Sequence, residues 1–314
     1  MRFVVTGGLG HIGSRLIRYL PQRFKGAEVV IIDNMATQRY PSLFDLPDEG
    51  RYRFVEADAT TVALEPLFEG ADAVINLAAI TDAAGSFANR EKVERENYGI
   101  TERVALACVA VGAPLITASS TSVYGTQKSR VDEDCEASDL APQSPYAETK
   151  LREEALVAEL AAGRGLKATI FRYGTIFGVS PGMRFHTAVN KFCWQAVLGQ
   201  KLTVWRTAYD QMRPYLDLSD AVEAIAFAVE KKMFDARVYN VVTSNHTVRD
   251  VVEAIRARVP STDVTFVDER IMNQLSYEVD NTRMLAAGFV FKGSLQNGLA
   301  ETIARLRNMN SGAA

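Results

Sequence analysis

The sequence predicts an α/β protein: a doubly wound parallel sheet with a smaller α/β lobe toward its C-terminus. Three observations carry that prediction. Short apolar runs rich in β-branched residues alternate with amphipathic stretches of helical spacing as far as Arg172, the pattern of parallel strands joined by crossover helices. The first run, Arg2 to Thr6, breaks into Gly7-Gly8-Leu9-Gly10-His11-Ile12-Gly13 and passes at once into Leu16, Ile17 and Leu20, which is strand, tight turn and helix. Beyond Arg172 the pattern loosens, with Gly174, Gly178, Pro181 and Gly182 close together. A boundary is expected there, giving domains at 1–172 and 173–314, with segments near 214–242 returning to the first domain.

The elements follow in order. Glu28 to Ile32 is a second buried strand ending at Asp33, and Asn34 to Gly50, broken by Pro41, Pro47 and Gly50, is a loop with room for a short helix. Arg51 to Glu56 is a third strand, followed by a helix over 60–68. Asp72 to Asn76 is a fourth strand, running into the small residues Leu77-Ala78-Ala79. A long helix from about Asn89 to Val111 carries Val93, Ile100, Val104, Cys108 and Val111 on one stripe. A fifth strand, Ala113 to Ala118, leads into Ser119-Ser120-Thr121-Ser122, and Ser144-Pro145 starts a helix that reaches about Ala162. Lys167 to Arg172 is the sixth strand, and the remainder adds helices near 185–198, 219–230, 248–259 and 295–308.

Bulk properties narrow the partners. With 314 residues, 47% of them apolar, the chain has ample material for a core. A formal net charge of −3 gives no general attraction to nucleic acid or an anionic membrane, so an anionic ligand must be held by local arginines. No apolar run approaches the roughly 18 residues of a membrane span, and the first strand opens the chain without a charged leader, so a cytoplasmic location is expected. Cys108, Cys135 and Cys193 suit reduced thiols, and His11, His186 and His246 are too scattered for a zinc site, so no metal is expected.

The first turn implies a ligand. Gly7 and Gly8 permit the turn and the close approach of a pyrophosphate, while Gly10 and Gly13 let the helix pack with its first N–H groups aimed at the phosphates. Asp33, about 20 residues on, can accept hydrogen bonds from an adenosine ribose and repels a 2′-phosphate, which favours NAD over NADP. Asp58 reads either as a contact to the adenine amino group or as an exposed cap of the following helix. Tyr146 and Lys150, four apart on one helix face, suggest chemistry. A tyrosine ionises near pH 10 in water, and a neighbouring ammonium together with a positive nicotinamide ring favours the phenolate, a general base. Ser120 is placed to share a hydrogen bond with the same substrate oxygen.

Together these residues resemble the extended short-chain dehydrogenase/reductases, specifically the NAD-dependent sugar-nucleotide epimerases and dehydratases, among them UDP-hexose and UDP-glucuronate 4-epimerases. The matching pieces are Thr6 to Gly13, Asp33-Asn34, Leu77-Ala78-Ala79, Asn97, Ser119-Ser120, Val123-Tyr124-Gly125, Ser144 to Lys150, Arg172 with Phe177-Gly178, and Arg213 through Asp220. The resemblance implies a Rossmann domain that binds NAD through Gly7, Gly10, His11, Ile12, Gly13, Asp33, Asn34, Asp58, Ala59, Leu77, Ala78, Ala79, Asn97, Ser119, Tyr146, Lys150 and Tyr173. It implies a nucleotide-diphosphate sugar held by Ser120, Thr121, Tyr146, Thr175, His186, Arg213, Arg270 and Tyr277. His186 reads equally as an ordinary helix histidine, and Tyr277 as a ring beside the sugar's C2 substituent. The implied catalytic set is Tyr146, Lys150 and Ser120: the phenolate takes the 4-hydroxyl proton, Lys150 binds the nicotinamide ribose, and NAD takes and returns the hydride.

Within that family the 4,6-dehydratases carry an Asp-Glu pair where this chain has Thr121-Ser122, neither of which can act as the carboxylic acid of an elimination, so elimination is not the expected reaction. The expectation is a nucleotide-sugar 4-epimerase, with a UDP-sugar first. The alternatives are an NAD(P)H-dependent keto-sugar reductase and a non-catalytic dinucleotide-binding sensor or scaffold. Thr175, Pro214 and Asp217 depart from the residues relatives carry, and Trp205-Arg206 replaces a glycine-rich turn. The resemblance further implies a homodimer in which the two long helices, near 89–111 and 145–162, form a four-helix bundle with their counterparts.

Overall fold

A computed structural model describes residues 1–81, 85–125, 128–185, 187–268 and 276–307. Within them the first part of the chain runs β1 (Arg2–Thr6), α1 (His11–Arg23), β2 (Glu28–Asp33), β3 (Arg51–Glu56), α2 (Glu65–Phe68), β4 (Ala73–Asn76), α3 (Arg90–Val111), β5 (Leu115–Ser120), β6 (Arg130–Val131), α4 (Pro145–Arg164) and β7 (Ala168–Tyr173). The second part runs β8 (Thr175–Phe177), α5 (Ala188–Val197), β9 (Leu202–Trp205), β10 (Met212–Asp217), α6 (Leu218–Lys231), β11 (Val238–Val241), β12 (Ser244–Thr247), α7 (Val248–Arg256), β13 (Val264–Val267), β14 (Glu278–Val279), α8 (Thr282–Ala286) and α9 (Leu295–Leu306).

Among the described residues seven strands form one sheet in the order β11-β7-β5-β4-β1-β2-β3. All of its pairings are parallel. The order reverses between β1 and β4, so the loops after those two strands flank the crevice in which open parallel sheets bind ligands. Burial on both faces accounts for the apolar runs: Phe3, Val4, Val5 and Val29 to Ile32 are at most 1% exposed. One cluster, with Leu16, Ile17, Ala221 and Ile225, fills one side of the sheet, and another, with Val104, Cys108, Val157 and Leu160, fills the other.

The C-terminal lobe is built on the mixed sheet β12-β10-β8 and the parallel pair β13-β9. Its core joins Phe192 and Cys193 of α5 to Val251 and Ile255 of α7 and Leu295 and Leu299 of α9. The chain crosses back to the large sheet, where β11 pairs with β7, and again later, where Met284 of α8 and Phe289 join the core cluster of Leu16 and Ile17. Among the described residues no helix is long and apolar enough to cross a membrane.

Several boundaries differ from those read off the sequence. The helix expected over 60–68 is confined to Glu65–Phe68. Asp58 accounts for the late start: its carboxylate takes the Thr60 N–H at 2.8 Å and the Thr60 hydroxyl at 2.6 Å, closing a turn that competes with helix. The helix expected from Phe185 begins at Ala188, and α8 had no periodic signal because it is barely one turn long. Gly165, at φ +69°, ends α4 in the left-handed conformation and donates its N–H to the Ala161 carbonyl at 3.2 Å.

Candidate active site

Backbone approaching backbone shapes the crevice at the end of β1. Gly7 lies at φ +65°, and a Cβ there would come within 2.7 Å of the Ala78 Cα. A Cβ on Gly13 would fall 2.5 Å from the Gly7 carbonyl oxygen. The turn, the start of α1 and the end of β4 are thus in contact, and Leu77-Ala78-Ala79 forms one wall. No side chain caps α1 at Gly10, and its first turn holds no acid, so the helix presents first-turn N–H groups of the kind that bind phosphate. Asp33 ends β2 with both oxygens engaged, accepting from the Leu9 N–H at 3.1 Å and the Met35 N–H at 3.0 Å. Each oxygen keeps a lone pair for a ribose hydroxyl.

Asn34 donates to Asp58 at 3.0 Å, and the Thr60 hydroxyl, with help from Asn34, holds the Asp58 carboxyl below its usual range. Asn97, 1% exposed, clamps the strand-end backbone at Ile80 through both halves of its amide, at 2.8 and 3.0 Å. The Ala59 carbonyl accepts from Arg103 at 3.1 Å. His11 is at the first position of α1, and its ring Nε2 lies 2.9 Å from the Gly178 carbonyl. Ile12 packs on the core.

The segment 178–182, which the sequence marked as a Gly- and Pro-rich boundary but whose contact with this loop was missed, closes over it. Ser180 donates to the His11 carbonyl at 2.9 Å, the Gly182 N–H donates to Ser14 Oγ at 2.9 Å, and a Cβ on Gly182 would meet the Leu9 carbonyl at 2.2 Å. Arg39 and Arg184 were also missed. Burial lowers the Arg39 pKa, and the nearby Arg184 charge lowers it further while Asp33 opposes both. Arg39 lies beside the glycine turn, its Nη1 3.7 Å from where a Cβ on Gly10 would stand, and with the Arg184 charge acting on it the two cations favour an anion nearby. Neither sits in a recognisable motif, and only the fold brings them together.

Tyr146 and Lys150 occupy the first two turns of α4, whose start is set by Ser144 accepting the Ala147 N–H at 3.2 Å and by Pro145 following it. The Lys150 ammonium lies 5.9 Å from the Tyr146 ring centroid. Burial raises the Tyr146 pKa; Lys150 and Arg184 pull it down and Glu153 adds to the rise. Burial also works against the Lys150 charge, but Glu153 and Tyr146 outweigh it and keep the ammonium's pKa above its ordinary value. The expected pull of lysine on tyrosine is therefore present, but burial exceeds it without a further positive charge.

Ser120 Oγ accepts from the Ser122 N–H at 3.1 Å and from the Ser122 hydroxyl at 2.9 Å. With both lone pairs taken, its own proton is left to donate to a substrate oxygen. Ser119 donates to Glu154, and Thr121 donates to the Tyr173 carbonyl at 3.2 Å. Tyr173 is paired in register with Ser120, and burial pushes its hydroxyl far up in pKa.

On the lobe side, Thr175 lies beside Tyr215 in the β8–β10 pairing, and Arg213 lies on β10 across from His246. Burial lowers the Arg213 pKa, with Tyr277 and Tyr215 opposing. Tyr277 is 3% exposed, stacks edge-on against Tyr124 at 6.4 Å and donates to the Tyr124 carbonyl at 3.0 Å, which places its ring behind the Ser120–Tyr124 turn. Asp217 has a clear job: its Oδ1 caps α6, taking the Ser219 N–H at 2.8 Å. Arg206 stacks over Phe266 at 5.1 Å and pairs with Asp268 at 3.0 Å, beside a 43% exposed Trp205. His186 and Arg270 lie outside the described residues.

The model of the NAD dependent epimerase/dehydratase family matches residues 3–241, from β1 through β11. The chain belongs to that family. Its sequence is similar to a trifunctional UDP-glucose 4,6-dehydratase/UDP-4-keto-6-deoxy-D-glucose 3,5-epimerase/UDP-4-keto-L-rhamnose-reductase of Arabidopsis thaliana, at 26% identity over 316 residues. That match takes in 96% of this chain but spans 46% of the length of the plant protein. An uncharacterized UDP-glucose epimerase of Bacillus subtilis is 29% identical over 250 residues, covering 77% of this chain and 76% of the relative. In three dimensions the chain is similar to a mutant UDP-glucuronic acid 4-epimerase from Bacillus cereus, solved with UDP-4-deoxy-4-fluoro-glucuronic acid and NAD. The TM-score is 0.86 at 26% identity, over 98% of this chain and 100% of the other. The epimerase/dehydratase family is NAD-dependent, and the glycine cradle, the uncapped α1 and Asp33 fit that cofactor.

Proposed function

We propose that the protein is a nucleotide-sugar 4-epimerase acting on a UDP-sugar through a transient 4-keto sugar. The observation that carries this reading is the group Ser120, Tyr146 and Lys150 together with what is missing beside it: Thr121 donates to a backbone carbonyl and Ser122 to Ser120, so neither supplies the carboxylic acid that elimination needs. Similarity to the UDP-glucuronic acid 4-epimerase supports it. The cofactor, when bound, accepts a hydride and returns it. Tyr146 removes the proton from the sugar 4-hydroxyl and later gives it back, while Ser120 orients that oxygen with its free proton. Lys150 keeps a positive charge under the phenol. Arg213 binds the diphosphate, and Arg184, close enough to act on Tyr146, adds a second cation to the sugar side of the crevice. The same reading makes the protein a homodimer through α3 and α4.

The test is a panel of UDP-, GDP-, CDP- and dTDP-sugars, UDP-glucose and UDP-glucuronate first, followed by NMR for a product inverted at C4. Tyr146→Phe should lower turnover by about 10²- to 10⁴-fold and leave NAD content unchanged. Near-normal turnover in that variant would remove the catalytic assignment, and steady net consumption of reduced nicotinamide would replace epimerisation by reduction.

A further inference from the structure

A buried polar chain runs from the cofactor turn to the lysine. Thr6 donates to Asn76 Oδ1 at 2.7 Å, Asn76 Nδ2 donates to Thr101 Oγ1 at 3.3 Å, and Thr101 donates to Glu153 Oε2 at 2.8 Å. The same oxygen accepts from the Lys150 ammonium at 2.9 Å. The two partners of that ion pair, one helical turn apart, have side chains 6% and 3% exposed. Thr101 has a single proton, and the Asn76 amide already approaches it as a donor, so that proton goes to Glu153. Glu153 Oε2 thus accepts from two directions. The other oxygen, Oε1, is buried and has no hydrogen-bond partner among the described residues. A buried carboxylate left half-satisfied is a poor device for stability. Its place beside the lysine suggests a catalytic use.

We propose that Glu153 is a positioning residue: its carboxylate fixes the Lys150 ammonium in place and sets the pH at which Tyr146 becomes a base. This rests on the reading of Tyr146 as the general base. The charged groups acting on Tyr146 are Lys150 and Glu153 on α4 itself and Arg184 from the segment before α5. Lys150 is acted on by Glu153, Tyr146 and Glu154. Glu154 is neutralised by Arg172 of β7, at 2.9 Å from Nε and 2.6 Å from Nη2, and Ser119 of β5 also donates to it. Thr101, the contact from α3, is neutral. Glu153 is therefore the carboxylate that balances the lysine, and it offsets the lysine's pull on the phenol.

Glu153→Gln keeps the shape and an acceptor for Lys150 while removing the charge. Ultraviolet difference titration of the whole protein, with the Tyr146→Phe spectrum subtracted, reads the Tyr146 phenolate directly. With the phenolate itself and Glu154 still holding Lys150 charged, the midpoint should fall by about one pH unit, and the acid limb of the kcat/KM profile of the NAD-loaded enzyme should move the same way. Glu153→Asp, which retains the charge but draws it back from Lys150, should give a smaller fall and serves if the glutamine variant does not fold. An unchanged or higher midpoint in the folded variants overturns the proposal. Turnover in Tyr146→Phe would instead overturn the assignment of the base, while the optical midpoint would still report on Glu153.

Discussion

Gly13 shows how much of this site is decided by single atoms. Its missing side chain lets the first turn of α1 rest on Gly7 and Gly8, and a methyl group would come within 2.5 Å of the Gly7 carbonyl oxygen and 2.7 Å of the Gly8 backbone. Backbone cannot swing aside as a flexible side chain can, so Gly13→Ala must push the helix off the turn. Overpacking of this kind costs about 1–3 kcal/mol. The variant is expected to melt several degrees lower and to retain less NAD than the wild type, read by calorimetry and by the absorbance of released cofactor. A variant with full stability and full NAD content would mean that the cradle is looser than its contacts imply. Tyr146 belongs to the same scale: its base strength is a balance between burial, which raises its pKa, and the cations Lys150 and Arg184, which lower it.

Capping decides where elements begin and end, and Asp217 is the clearest case. It ends β10 and starts α6, with its Oδ1 accepting from the Ser219 N–H and hydroxyl. Burial raises its pKa above the ordinary 3.8, with Asp220 and Glu301 adding to the rise and the Ser219 bonds opposing it. An acid whose folded pKa exceeds its unfolded value favours the fold while protonated. That contribution is complete below the unfolded pKa and is lost as pH climbs through the folded one. Asp217→Asn still caps the helix but cannot ionise. It should therefore melt above the wild type at neutral pH, with the difference vanishing at about pH 3 and below. A variant that melts lower at neutral pH would show that the charged cap outweighs burial.

At the scale of the molecule, α3 and α4 lie side by side on one face of the sheet, and Leu106, Val109 and Leu156 are only partly covered by the chain's own core. The reading of these helices as a dimer interface predicts twice the 34.5 kDa protomer mass by light scattering. A monomer at micromolar concentration would remove it. NAD binding to the folded state should raise the melting temperature, by an amount equivalent to about 2.7 kcal/mol at a hundredfold excess over Kd.

Patterns of short range were legible in the sequence. The glycine turn, the acid closing β2, the stripe of Val93, Ile100, Val104 and Cys108, and the tyrosine and lysine one helical turn apart all follow from local periodicity and backbone geometry. The parallel sheet follows from the alternation of such pieces. Contacts between distant segments were not legible, because sequence spacing carries no signal for them. The Gly178 carbonyl meets His11 from 167 residues away, the Arg184 charge acts on Arg39, and Thr101 reaches Glu153 across 52 residues. Nothing in the sequence singles out Glu153 from the other charges of its helix. Only packing α3 against α4 removes the water around it, and that loss of solvent turns an ordinary surface acid into the counter-ion of the lysine.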